Sequence, residues 1–355
     1  MKIGIIDSDL LDKGTKHPNL ALMKISGYMK EQGHETELLT SYDNLDYDKI
    51  YLSKVFTKTN IPIDLNKHKN IEIGGTGFYY DKAPNLPDEI EHHMPDYHLY
   101  DKYVEDKITL GEKRSKYKDY LDYSIGFTTR GCFRQCSFCV NKKYKSAFKH
   151  SPVKEFYDPT RKYIYLWDDN FLACSSWREV LEELKETKRY FQFRQGLDIR
   201  LMTKEKAQIL SGVKYHGDYI FAFDHIKDRE LITEKLKIWK EYCTKQTKLY
   251  VLCAYEGIGV EDIINTFERI KILMELKCVP YIMRYENYIN SEFKGMYINL
   301  ARWCNQPSFF KKKSFREFCL ANQKEGSEEC ATLRYMNEFE SKHPDVAKKY
   351  FDLKW

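Results

Sequence analysis

Residues 126–140 read Gly126-Phe127-Thr128-Thr129-Arg130-Gly131-Cys132-Phe133-Arg134-Gln135-Cys136-Ser137-Phe138-Cys139-Val140. Three thiols, Cys132, Cys136 and Cys139, are separated by three residues and then two, close enough to converge on one metal centre. Iron–sulfur clusters are held by closely spaced cysteine thiolates, usually four. With three, one iron of a cubane 4Fe–4S cluster lacks a protein ligand and stays open to a second molecule. A zinc site or three unrelated cysteines would present the same letters, but zinc asks for a fourth ligand and more often meets paired Cys-x2-Cys units.

An apolar run over 123–129 delivers this loop, and similar runs recur after it. Residues 163–167 lead into Asp168-Asp169-Asn170, and 190–193 into Arg194-Gln195-Gly196-Leu197-Asp198-Ile199-Arg200. Residues 219–223 lead into Asp224-His225, 248–252 into Cys253-Ala254-Tyr255-Glu256-Gly257, and 281–283 into Arg284-Tyr285-Glu286. Helices are expected between them, among them 177–188 and 263–275. In the second of these, Ile263, Phe267, Ile270 and Met274 recur at helical spacing. Each of the six strands turns polar at its C-terminal end, the face where barrel enzymes collect their chemistry.

Outward on the N-terminal side, 2–7, 36–39, 50–55 and 71–73 read as buried parallel strands. Asn19 is placed to cap a helix carrying Leu22, Ile25 and Met29, which Gly33 ends. Alternating strands and helices imply an open parallel sheet. Gly74-Gly75-Thr76-Gly77 reads as a tight strand-to-helix turn. His92-His93 reads as solvated, and the charged, tyrosine-rich 101–120 as a connector over the surface. On the C-terminal side, Lys311-Lys312-Lys313 reads as a solvated face, and Cys304, Cys319 and Cys330 fit no auxiliary-cluster spacing.

A chain of 355 residues has room for two sizeable cores, and a net charge of +5 permits a polyanionic partner without arguing for one. Its 28 tyrosines are expected mainly as half-buried packing residues. Ten cysteines behind no leader-like stretch point to a reducing, cytoplasmic setting. No apolar stretch approaches the length of a membrane span.

The Cys-x3-Cys-x2-Cys run, with the aromatic Phe138 before its last cysteine, resembles the cluster loop of the radical S-adenosylmethionine superfamily. The six strand–helix units that start with it resemble that family's partial (β/α)6 barrel. The resemblance implies that the open iron chelates the amino and carboxylate groups of S-adenosylmethionine. One electron then cleaves the sulfonium to a 5′-deoxyadenosyl radical, which abstracts hydrogen from a substrate. In the family the ammonium acceptors end the second strand. The matching positions are Asp168, Asp169 and Asn170, in place of the common Gly-Gly-Glu. Gln195, Asp198 and Arg200 are matched to the ribose and carboxylate, Phe138 to packing near adenine, and Gly257 with Gly259 to backbone approach at the adenine edge. Cys174 and Cys253, near strand ends, are either hydrogen-atom donors, as in peptide epimerases of the superfamily, or small buried hydrophobes.

The N-terminal strand order, with Pro18-Asn19-Leu20 opening the first helix and Gly33-His34-Glu35 closing it, resembles the cobalamin-binding domain attached to many of these enzymes. That domain usually carries an Asp-x-His-x-x-Gly loop. None occurs here, and His17 is the only nearby histidine, so the domain is expected to do without cobalamin. The expected fold is thus α/β: a Rossmann-like open parallel sheet over 1–100, a linker over 101–122, a partial barrel over 123–290 and a helical extension over 291–355. The expected function is radical S-adenosylmethionine chemistry on an unidentified substrate, with peptide, nucleotide and nucleic acid all open. A one-electron reductant such as flavodoxin or ferredoxin would supply the cluster, and no membrane is involved. The alternatives are a cobalamin-dependent radical methyltransferase, a methylthiotransferase (which needs a second cluster, although 1–131 contains no cysteine) and a metal-structured nucleic-acid-binding protein.

Overall fold

A computed structural model describes residues 1–324, 326 and 328–355. The chain divides into two compact units, 1–194 with 214–216, and 195–213 with 217–355.

In the first unit, β1 (Lys2–Asp7), β2 (Glu35–Leu38), β3 (Lys49–Ser53) and β4 (Ile71–Gly74) form a parallel sheet in the order β2-β1-β3-β4. Helix Leu20–Glu31 crosses from β1 to β2. Asn19 caps it as expected, its side-chain oxygen accepting from Leu22 N–H at 3.3 Å. The glycine turn after β4 is tight. Gly75 has φ +100, and a Cβ there would lie 2.2 Å from the Lys54 carbonyl oxygen.

The segment expected as a surface connector is instead a wall of the first core. Helix Asp101–Thr109 and the turns after it bury Val104, Tyr117 and Tyr120 with Ile3, Ile5 and Leu22. The charges on 101–120 masked an aromatic stripe. A tyrosine ring can enter a core if its hydroxyl finds a partner. Tyr100 donates to Asp7 Oδ2 at 2.9 Å, and Tyr120 to the Thr15 carbonyl at 3.0 Å.

The same unit continues with β5 (Tyr123–Gly126), β6 (Thr129–Arg130), β7 (Phe148–Lys149), β8 (Tyr163–Leu166) and β9 (Tyr190–Phe193). Strands β5, β8 and β9 form a parallel sheet in the order β5-β8-β9, and β6 pairs antiparallel with β7. The expected strand over 123–129 therefore breaks at Phe127-Thr128 and restarts as one arm of a hairpin.

The second unit holds β10 (Tyr219–Ala222), β11 (Thr247–Cys253) and β12 (Val279–Arg284), all parallel in the order β10-β11-β12. Helix Val260–Glu275 buries Ile263, Phe267, Ile270 and Met274, the residues picked out by spacing. The C-terminal extension is helical, from Lys294–Cys304 to Pro344–Tyr350. Tyr350 stacks on Phe267, with centroids 5.4 Å apart, and Trp355 meets Phe310 at 5.5 Å. Among the described residues, no helix is long and apolar enough to cross a membrane.

Candidate functional site

The β6–β7 hairpin frames the cysteine loop. At its entry Gly131 has φ +87, and a Cβ would lie 2.1 Å from the Ser146 carbonyl oxygen, so only glycine fits. Cys132 N–H donates to the Tyr144 carbonyl at 3.3 Å, and Cys139 N–H to the Cys136 carbonyl at 3.0 Å. Between the first two thiols, Gln135 is left-handed, with φ 48. That conformation costs a non-glycine residue roughly 1–2 kcal/mol. It is offset locally, because the Gln135 amide donates to the carbonyls of Cys132 (2.8 Å) and Tyr144 (3.1 Å).

The sulfurs of Cys132 and Cys139 accept hydrogen bonds in a pattern that suits thiolates. Arg134 N–H points to Cys132 Sγ at 3.4 Å, Asn141 N–H to Cys139 Sγ at 3.3 Å, and the Asn170 amide to Cys132 Sγ at 3.3 Å. Donors of this kind stabilise sulfur-borne charge and tune a cluster's potential. Among the described residues, no three His, Cys, Asp or Glu side chains gather closely enough to hold a single metal ion. A cubane cluster does not ask for that, since each thiolate binds a different iron.

The polar end of β8 grips this loop, and that changes one assignment. Asp168 was matched to the ammonium of S-adenosylmethionine. Its carboxylate instead accepts from Thr128 N–H (2.8 Å), Thr129 N–H (3.1 Å), Thr129 Oγ1 (2.9 Å) and Thr128 Oγ1. Three of these donors converge on Oδ2 and one on Oδ1, and Asp168 is only 2% exposed. It is a clamp on the strand break before the cysteines. Burial pushes its carboxyl up to about 6, against the pull of the threonine hydrogen bonds. Asp169 holds Gly131 N–H through Oδ2 at 2.7 Å, and burial raises its carboxyl as well. Its Oδ1 has no protein donor among the described residues. Thr128, Thr129 and Gln135 are the residues that sequence reasoning missed. The Thr-Thr pair ahead of Arg-Gly-Cys was the available signal.

Beneath the hairpin lies a buried ionic network. Lys24, 4% exposed, meets Glu91 Oε1 at 3.1 Å. Arg130 and His150, one from each flank of the cysteine loop, reach the same oxygen at 3.6 and 3.7 Å. Burial, then Arg130, presses the His150 imidazole down to about 4. His92 is exposed, as expected; it also stacks on His150 with centroids 5.0 Å apart and meets Glu155 at 2.7 Å. His93 pairs with Glu31 at 3.1 Å. Both histidines thus pair with carboxylates at the surface.

Phe138 is half-buried on the cysteine loop, while Cys174 is 2% exposed and its thiol is pushed up by burial. The remaining expected residues fall in the second unit. Arg200 is held between two carboxylates, Nε to Asp198 at 2.7 Å and Nη1 to Asp228 at 2.9 Å. Gln195 is exposed, and so are Gly257 and Gly259, where a Cβ would meet nothing within 4 Å. Those glycines are thus not demanded by packing within the chain. Cys253 is fully buried, its thiol is pushed up to about 12 by burial, and it donates to the Met283 carbonyl at 3.5 Å. Cys174 and Cys253 thus both fill buried core positions. His225 meets Glu256 at 2.6 Å. Below it, buried Arg269 donates to the carbonyls of Phe223 (3.1 Å) and Leu252 (2.8 Å), tying the ends of β10 and β11.

At the carboxyl ends of β1 and β3, where an open parallel sheet usually takes a ligand, several polar side chains are bonded within the chain. Asn19 Nδ2 donates to Ser53 Oγ at 3.0 Å. The Asp9 carboxylate accepts from Val55 N–H (2.6 Å), Phe56 N–H (3.3 Å) and the Thr59 hydroxyl. His17 is engaged with Asp119 and lies edge-on to Trp167 at 6.3 Å.

Comparison with solved structures finds the same fold in radical S-adenosylmethionine methyltransferase TsrM from Kitasatospora setae. The form with tryptophan substrate and the analog aza-SAM gives a TM-score of 0.53 at 12% identity, over 79% of this chain and 72% of that one. The form with cobalamin and a [4Fe-4S] cluster gives 0.50 at 12% identity, over 80% and 74%. At that identity the likeness establishes a shared fold. No family model and no curated protein matches the chain.

Proposed function

We propose that this chain is a radical S-adenosylmethionine enzyme. Cys132, Cys136 and Cys139 would hold a 4Fe–4S cluster beside the polar end of β8. When bound, the cluster supplies one electron that splits S-adenosylmethionine into methionine and a 5′-deoxyadenosyl radical able to take hydrogen from a substrate. The protein's part is to bind, orient and exclude water. Asn170 and the backbone N–H groups of Arg134 and Asn141 stabilise the sulfurs. Asp168 and Asp169 lock the loop, and Asp169 Oδ1 accepts from the ammonium. Phe138 offers a face for adenine, and Gln195, Asp198 and Arg200 offer ribose and carboxylate partners. The observation that carries this reading is the three-thiol hairpin clamped by three consecutive side chains from the end of β8, one of which donates to a cysteine sulfur. The fold shared with TsrM supports it.

Cobalamin has no part in the proposed reaction. What supports this is that the Asp-x-His-x-x-Gly loop is missing and that Asp9 and Asn19, at the ends of β1 and β3, are bonded within the chain. The substrate remains a peptide, a nucleotide or a nucleic acid.

The test is anaerobic reconstitution with iron and sulfide, then addition of reductant and S-adenosylmethionine. Product analysis should show 5′-deoxyadenosine and methionine in equal amounts. Zinc binding without a brown chromophore would overturn the reading in favour of a metal-structured nucleic-acid-binding protein. In the same preparation, hydroxocobalamin should elute apart from the protein on gel filtration. Stoichiometric co-elution would move the cobalamin-dependent methyltransferase to the front.

A further inference from the structure

Strand β2 is the outer strand of the first sheet, and one of its edges is unused. Its register sets Glu35 and Glu37 against Lys2 and Gly4, and the N–H groups of Glu35 and Leu39 donate to the carbonyls of Met1 and Ile5 at 3.1 and 2.8 Å. In a parallel ladder alternate residues bond to the same neighbour, so Thr36 and Leu38 turn their N–H and C=O groups away from β1. Among the described residues no partner meets these four groups. A free edge of this kind pairs with another chain unless a proline, a bulge or a covering segment blocks it. Residues 35–40 contain no Pro or Gly, and the ladder to β1 runs without a bulge. Instead of a cover, Thr36 and Leu38 line a cleft of about 380 Å³. Leu99 and the helix Asp101–Thr109, through Lys102, Tyr103 and Asp106, wall one side; the segment after β2, through Asn44 and Tyr47, walls the other. The walls belong to opposite faces of the sheet, since Leu38 and Tyr103 pack with Ile3 and Ile5, and Leu39 and Tyr47 with Ile6 and Ile50.

We propose that this cleft takes an extended segment of a second polypeptide, which adds to β2 as a further outer strand. An extended peptide matches the edge chemically. Its N–H and C=O groups alternate at the spacing of the free groups on Thr36 and Leu38, and its side chains point in turn to one wall and the other. The half-buried Leu38 and Tyr103 offer apolar contact on the helix side. Charge argues against a nucleic acid as the occupant. Lys30 and Lys102 are matched in the lining by Glu37 and Asp106, and binding a polyanion needs an excess of cations. No residue of the cysteine loop lines the cleft, so the docking does not depend on the radical reading.

The test screens fluorescent random dodecapeptides against the full chain by anisotropy and follows the tightest binder. Methylating its amide nitrogens one at a time should weaken binding at every second position, on the order of tenfold each, and leave the positions between them nearly unchanged. On the protein side, amide hydrogen exchange at Thr36 and Leu38 should slow on the order of tenfold with the peptide bound, while Glu37, already in the ladder to β1, should not change. Thr40→Trp, at an exposed residue of the lining, should fill the cleft and cost on the order of tenfold in affinity. Should that variant misfold, the exchange measurement on the parent protein decides. The absence of any binder, methylation effects without a period of two, or exchange at Thr36 and Leu38 that the peptide leaves unchanged would each overturn the proposal. Displacement of the peptide by single-stranded RNA would give the cleft to nucleic acid instead. Protection of the same two amides in a dimer without peptide would give the edge to a second copy of the chain. Failure to form 5′-deoxyadenosine would defeat the radical reading and leave this result standing, so the two failures are separable.

Discussion

Replacing Cys136 with alanine is expected to bring iron content and S-adenosylmethionine cleavage to background while leaving the rest of the chain folded. Cys136 is a partly exposed loop residue. Removing its side chain opens no core cavity, so the direct cost in stability stays within about 0.5 kcal/mol, as at other such sites. Its effect on the site is far larger. A cubane already held by only three thiolates would be left with two, too few to retain it. The hairpin does not depend on Cys136, because its bonds run from Gly131, Cys132 and Gln135 to Tyr144 and Asp169. Iron and sulfide analysis, the visible spectrum and far-ultraviolet circular dichroism check the two halves of this expectation. Full iron occupancy with undiminished 5′-deoxyadenosine formation would sink the assignment of the three cysteines.

Asp168→Ala is expected to loosen the loop rather than the cofactor's ammonium. The substitution strands the backbone N–H groups of Thr128 and Thr129 in a buried place, where each lost partner costs about 1–3 kcal/mol. The threonine hydroxyls can turn to other acceptors, and the penalty of burying the carboxylate disappears with it. A net loss of about 2–3 kcal/mol is therefore expected, with lower cluster occupancy following from the misplaced loop. The pH dependence has a defined sign. The folded-state carboxyl, raised to about 6, lies above its ordinary value of 3.8, so the native state holds its proton more tightly. The parent protein's advantage over the alanine variant is thus fully present below about pH 4 and shrinks as pH rises through 6. Denaturant unfolding at pH 5 and pH 7 measures that difference. Protein that retains its cluster should bind S-adenosylmethionine with the parent's affinity. Weakened binding at full cluster occupancy would restore Asp168 to the ammonium.

These two residues also mark how far linear reasoning reaches. The cysteine spacing, the strands Lys2–Asp7 and Tyr190–Phe193, the Asn19 cap and the apolar stripe of Val260–Glu275 all depend on neighbours within a turn or a strand. Short-range chemistry of that kind is written directly in the order of residues. That Asp168-Asp169-Asn170 belongs with the cysteine loop was legible from the polar end of a strand, but the task of each side chain was not. Asp168 finds its donors forty residues earlier in the chain, at Thr128 and Thr129. Arg200 is shared with Asp228, and Glu91 gathers Lys24, Arg130 and His150 from three separate segments.

By itself, then, the sequence determined that three thiols lie in one short loop, that parallel strands recur before and after it, and that each strand turns polar where it ends. Only the tertiary structure decided which polar residues are spent within the protein and which keep a free acceptor for a ligand. The same holds for the tyrosines of 101–120, which looked like surface and proved to be core. The physical reason is common to both cases. Whether a polar side chain is available depends on which donors and acceptors surround it once it is buried, and those come from parts of the chain that folding alone brings together.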